Sequence, residues 1–179
     1  MAFYPCIGGN SSASDYTYYY VNLWGEGSNQ GLSVPIPDTN KLFKEGFNDY
    51  DFEILLNCIP NSSSSSESCV LGMYGGTASN AAIEFYFISG VPHLMLRKVD
   101  SNSSSGKYTF DFNQDISNKD IIIKKEGSNF TVSVDGEVVY SSTYNVTNYA
   151  NDGRLIRFGN YQTQYYFNGV IKKAGFKWL

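Results

Sequence analysis

The chain is expected to fold as an all-β domain of two packed antiparallel sheets, and three observations predict it. Apolar residues recur with period two, and no convincing stretch shows the i, i+3, i+4 spacing of an amphipathic helix. Turn signals such as Asp135-Gly136 punctuate these runs. Aromatics make up 16% of the 179 residues, with 15 Tyr and 12 Phe beside 17 Gly, a composition suited to strands and tight turns.

The elements follow in order. Residues 16–24, YTYYYVNLW, read as a first strand, and residues 25–40 as a Gly- and Pro-rich loop ending in VPIPD. DYDFEILLNC (49–58) is a second strand and CVLGMYG (69–75) a third. Residues 81–100 read as two strands joined at Ser89-Gly90, and KYTFDF (107–112) as a short alternating one. Residues 121–142 hold three strands, with turns at Gly127-Ser128 and Asp135-Gly136. Asp-Gly between alternating runs is a strong hairpin signal, because a type I′ turn needs positive φ at both central residues. RLIRFGN (154–160) and YYFNGVIKKAGFKWL (165–179) complete the set, about ten or eleven strands without a helix. So many strands in one open sheet would curl or split, hence two sheets. The Ser-rich segments fall between strands and read as solvated loops of one domain spanning 16–179. Residues 1–15 read as a flexible or docking arm.

A formal net charge of −4 argues against a nucleic-acid backbone as partner. MAFYPCIGGN lacks the basic start and apolar run of a signal peptide, and no stretch is apolar enough to span a membrane. Cys6, Cys58, Cys69 and the single His93 fit no zinc spacing. Cys58 and Cys69 flank the loop NSSSSSES. They are placed either across a hairpin, as a disulfide, or as two half-buried free thiols.

The C-terminal third narrows the fold. NFTVSVDGEVVYSS is followed by an apolar strand ending in glycine (Leu155 to Gly159), then by Phe167-Asn168-Gly169-Val170-Ile171, of the form F-x-G-x-I. This order resembles the concanavalin A-like lectin/glucanase jelly roll, more narrowly its laminin G and pentraxin-like branch, over roughly residues 45–179. Phe167, Gly169 and Ile171 share one strand face, and Gly169 admits a close neighbour. The resemblance implies a jelly-roll sandwich and an extracellular style of recognition.

The same superfamily includes laminarinase-type glycoside hydrolases with a strand of the form E-x-D-x-E. Here the row is Asp49-x-Asp51-x-Glu53, so the resemblance puts Glu53 at the acid/base position and Asp49 at the nucleophile position. Retention needs carboxyls about 5–5.5 Å apart. Residues four apart on a strand lie roughly 13 Å apart at Cα, and an aspartate in place of the first glutamate shortens the reach. With Trp24 and Trp178 the only tryptophans for sugar stacking, the row reads as the wet side of a sheet, and no catalytic residue is assigned. His93 has no nucleophile partner at a recognisable spacing. NDGR (151–154) offers oxygens to calcium but lacks a dense run of acids, so it reads as a turn, and no metal or other cofactor is expected. Lys124-Lys125 and Lys172-Lys173 read as ordinary strand surface.

Tyrosine-rich late loops are suited to polar surfaces, since tyrosine carries a rigid ring and a hydroxyl. Tyr144, Tyr149, Asn160, Tyr161 and Tyr165 are the candidate glycan contacts. A single jelly-roll domain rich in Tyr, Asn, Ser and Gly resembles bacteriophage virion proteins, and that resemblance implies a non-enzymatic virion surface protein, made in the host cytoplasm and displayed on the particle exterior. Its arm would dock on other virion proteins or sister copies, in a homo-oligomer or multi-copy array, and its loops would face cell-surface glycans. A decoration protein without ligand and a laminarinase-type hydrolase using Glu53 are the alternatives.

Overall fold

The computed structural model describes residues 17–18, 34–39, 41–42, 49–61, 67–74, 83–97, 107–111, 114–143, 155–161 and 165–179. Fourteen strands run through them: β1 (Thr17–Tyr18), β2 (Val34–Pro35), β3 (Phe52–Pro60), β4 (Ser68–Tyr74), β5 (Ile83–Ile88), β6 (Val91–Arg97), β7 (Lys107–Asp111), β8 (Ile121–Glu126), β9 (Asn129–Val134), β10 (Glu137–Thr143), β11 (Leu155–Phe158), β12 (Asn160–Tyr161), β13 (Tyr165–Tyr166) and β14 (Gly169–Trp178). They form a six-stranded sheet in the order β1-β14-β3-β8-β9-β10. An eight-stranded sheet runs β12-β13-β4-β5-β6-β7, with β11 beside β4 and β2 beside β11. Pairing is antiparallel apart from a single parallel bridge between Tyr166 and Cys69. This is the two-sheet sandwich the alternation predicts.

The inner faces are written in the period-two pattern. Phe52, Ile54, Leu56 and Cys58 on β3, Ile121 and Ile123 on β8, and Phe130 and Val132 on β9 are buried. They meet Ile83, Phe85 and Phe87 on β5, Leu94 and Leu96 on β6, and Ile156 and Phe158 on β11. On β14 the phase shifts from Ile171 to Ala174 and Phe176. A register shift between Ile171 and Lys173 absorbs the odd residue, as a β-bulge does.

The hairpins match the turn chemistry. Ser89 and Gly90 (φ 51° and 79°) and Asp135 and Gly136 (φ 49° and 86°) each take positive φ at both central positions, as type I′ requires. Asp135 also ties the turn back: its Oδ1 accepts Asp120 N–H at 2.9 Å, and its own N–H donates to Asp120 O at 2.8 Å.

Two expectations are corrected. Residues 25–40 are not all loop, because Val34 and Pro35 pair with Phe158 and Arg157. Thr39 anchors the segment: its hydroxyl donates to Ile36 O and accepts Ile156 N–H, both at 3.0 Å. Beyond it Lys41 and Leu42 close a single tight turn onto Asp38 O and Thr39 O. Lys125 is not strand surface, since its side chain is fully buried.

Candidate functional site

Cys58 and Cys69 are free thiols, and fully rather than half buried. They do not face each other across a hairpin, because β3 pairs with β14 and β8 while β4 pairs with β5, β11 and β13. Burial pushes the Cys58 thiol up to about 12. Burial first, then the charges of Glu84 and Glu67, push Cys69 well above its ordinary value. Both are small apolar fillers rather than nucleophiles.

The acidic row is built into the scaffold. Asp49 is exposed and precedes the strand. Asp51 accepts the Gly127 N–H at 2.6 Å, closing the β8–β9 turn. Glu53 lies opposite Lys177 on β14 and Lys124 on β8, with its carboxylate 3.4 Å from Lys177 Nζ. These are cross-strand charge pairs on the outward face of the six-stranded sheet.

That face also carries a polar network. Asp120 accepts hydrogen bonds from Asn57 Nδ2 (2.7 Å) and Lys173 Nζ (2.7 Å), and Lys172 Nζ donates to Asn118 Oδ1 (2.6 Å). Burial pushes the Asp120 carboxyl up, but the hydrogen bonds from Lys173 and Asn57 and the charge of Lys173 outweigh it and hold it below its ordinary value. A carboxyl held low in the fold contributes stability above its unfolded pKa, and loses it as pH falls through the folded value. The Asp120→Asn variant is therefore expected to show a shallower loss of stability below about pH 4 than the wild type. Urea unfolding across an acid pH series measures this, and identical slopes would rule out Asp120 as a contributor.

The outward face of the eight-stranded sheet differs. Inward positions on β5 are Ile83, Phe85 and Phe87, so Glu84 and Tyr86 point away from the core. They are nonetheless only 1% and 4% exposed, and Met95 beside Glu84 is 3% exposed. Tyr86 lies opposite His93 and stacks on it, with centroids 5.1 Å apart and planes at 13°. On β11, Ile156 and Phe158 face inward, so Arg157 faces outward, opposite Gly72. The register that sets Leu71 opposite Phe85 brings Gly72 level with Glu84. A row thus runs Arg157, Gly72, Glu84, Met95 across four strands. Arg157 and Glu84 stand about 10 Å apart at Cα, two strand spacings, over a residue with no side chain. This face thus holds an arginine and a buried glutamate on either side of a glycine, with a stacked ring pair beside them. Arg157 and His93 are its half-buried members.

Of the candidate glycan contacts, Asn160, Tyr161 and Tyr165 fall on the β12–β13 hairpin at the edge of this same sheet, with Tyr161 opposite Tyr165. Tyr144 and Tyr149 lie outside the described residues, as does NDGR. Sequence reasoning missed Glu84, Tyr86 and Arg157. The available signal was a polar residue at outward positions of otherwise apolar strands, Glu84 and Tyr86 in IEFYFI and Arg157 in LIRF.

No protein-family model matches the chain, and no curated protein matches it. Its fold does match solved structures. One is the Ruminococcus gnavus IT-sialidase CBM40 bound to α2,3-sialyllactose, with TM-score 0.62, 16% identity, and 89% of this chain and 90% of that one covered. Another is the leech intramolecular trans-sialidase, with TM-score 0.59 and 13% identity, covering 89% of this chain and 25% of that one. A third is the botulinum neurotoxin serotype D binding domain, with TM-score 0.58 and 13% identity, covering 84% of this chain and 37% of that one. The chain therefore shares the β-sandwich architecture of sialidase-associated carbohydrate-binding domains and toxin binding domains.

Proposed function

We propose that the chain is a non-catalytic glycan-binding β-sandwich, reading saccharides at the outward face of the eight-stranded sheet. The observation that carries this is the half-buried Arg157 on the same outward face as the stacked Tyr86–His93 pair. Sugars present hydroxyls and an apolar ring face. Arg157 supplies donors, and the half-buried His93 ring, backed by Tyr86, a platform. Asn160, Tyr161 and Tyr165 extend the surface at the sheet edge, and Tyr144 and Tyr149 are assigned to the same role. The likeness to a carbohydrate-binding domain solved with sialyllactose supports the reading and sets the first ligand to try.

Single-site affinity is expected to be weak and to become useful through multiple copies. A glycan array probed with a multivalent form, with sialyllactose and neutral oligosaccharides side by side, tests it. Binding to a defined subset supports the lectin reading, whereas silence across the array favours a decoration protein without ligand. Hydrolysis of a β-glucan that is lost in Glu53→Gln would overturn the non-catalytic reading.

We further propose display on a bacteriophage virion, with residues 1–15 as the docking arm. Support for it lies in the Tyr-, Asn-, Ser- and Gly-rich composition of the chain. Mass spectrometry of purified particles decides it: many copies on the exterior are expected, and absence from particles would sink it.

A further inference from the structure

The acids that open β3 have a neighbour the sequence did not announce. Lys125 occupies an inward position on β8, after Ile121 and Ile123. It lies opposite Phe52 on one side and Phe130 on the other, two fully buried rings 6.3 Å apart. Its side chain is 0% exposed. The amine donates to Tyr50 O at 2.6 Å and stands 3.5 Å from Asp51 Oδ1. That same oxygen accepts the Gly127 N–H at 2.6 Å. Burial lowers the pKa of the amine, against the opposing charges of Asp51 and Asp49. A dry amine held beside a carboxyl whose oxygen is already polarised by a backbone N–H combines an activated nucleophile with an oxyanion donor. Fixed proximity replaces a bimolecular encounter.

We propose that the folded chain cross-links itself through an isopeptide bond between Lys125 Nζ and Asp51 Cγ. The Lys125 ammonium passes a proton to the Asp51 carboxylate across their ion pair, and the neutral amine attacks Cγ of the resulting acid. The Gly127 N–H holds the negative charge that builds on Oδ1. The protonated Oδ2 takes a second proton from the nitrogen and leaves as water. One C–N bond forms and one C–O bond breaks. An ammonium and a carboxylate become a neutral amide and one water, with no oxidant or co-reactant. The change removes a buried charge, and the amide N–H remains available to Tyr50 O. The link would fasten the entry of β3 to β8 beside the β8–β9 turn.

Intact-mass measurement of the folded protein, held for days at mildly alkaline pH, tests this. The expected result is a mass lower than the sequence mass by one water. A branched tryptic peptide should join the segments around Asp51 and Lys125, with no cleavage after Lys125. Peptide mapping separates this from succinimide formation at an Asp-Gly pair, which also loses water but gives no branch. Asp51→Asn should give the same branch with loss of ammonia instead. Asp51→Ala and Lys125→Arg should keep their sequence masses. Wild-type and Asp51→Asn proteins that stay at sequence mass, with Lys125 cleaved normally, would overturn the proposal. These two need no folded knock-out variant.

Discussion

Gly169→Ala is expected to cost the fold about 2–4 kcal/mol, read as a large drop in the urea midpoint with little change in slope. The reason is space. A Cβ at this position would collide with the carbonyl oxygen of Ile59 and lie 2.8 Å from Phe167 Cζ. Neither can yield cheaply. Ile59 belongs to β3, whose pairing with β14 sets Gly169 opposite Pro60. Phe167 is 2% exposed and packs on Phe87 with centroids 6.0 Å apart. The backbone around it is pinned too: Phe167 N–H donates to Gly159 O (2.9 Å), Asn168 N–H to Ser68 Oγ (2.6 Å), and Asn168 O accepts Asn61 N–H (2.9 Å). A useful control is Gly136→Ala. There φ is 86° but nothing lies within 4 Å of the added atom, so only conformational strain of about 1 kcal/mol is expected. Equal costs at the two positions would mean that the close approach at Gly169 relaxes, and that the packing account is wrong.

That position was legible before any coordinates. In Phe167-x-Gly169-x-Ile171 the alternation places all three on one face, and glycine between bulky residues marks close approach. The hairpins were legible for a similar reason, since Asp-Gly and Ser-Gly state their own backbone angles. The alternation of Asp49, Asp51 and Glu53 also gave the right face for Glu53. What the sequence hid depends on pairing between distant segments. Lys125 looks like surface because lysine usually is, yet strand phase turns it inward, where Tyr50 O and Asp51 receive it. Val34 and Pro35 form a strand only because β11 offers a free edge. The outward face that carries Arg157 and His93 is assembled from four strands, and no local pattern sets their register. The outward acid and arginine within apolar strands were the only trace.

Arg157→Ala is expected to weaken glycan binding by about tenfold to a hundredfold, the value of losing charge-assisted hydrogen bonds to a ligand. The loss should be selective. Arg157 sits on the outward side of β11, while its neighbours Ile156 and Phe158 hold the strand in the core, so the sheet should survive the truncation. Melting of the variant, measured in parallel, checks this. Arg157→Lys should recover little, because a single ammonium cannot present the planar fork of donors across Gly72. His93→Ala should also weaken binding, by removing the platform that Tyr86 backs, but without changing which acidic or neutral sugars are preferred. Lys172→Ala, on the opposite sheet and bonded only to Asn118 among the described contacts, should bind as the wild type does. The pattern across these variants identifies the face. Arg157→Ala and His93→Ala proteins that bind with unchanged affinity would remove this face from consideration, and leave the β12–β13 edge and the late tyrosines as the surface to mutate next.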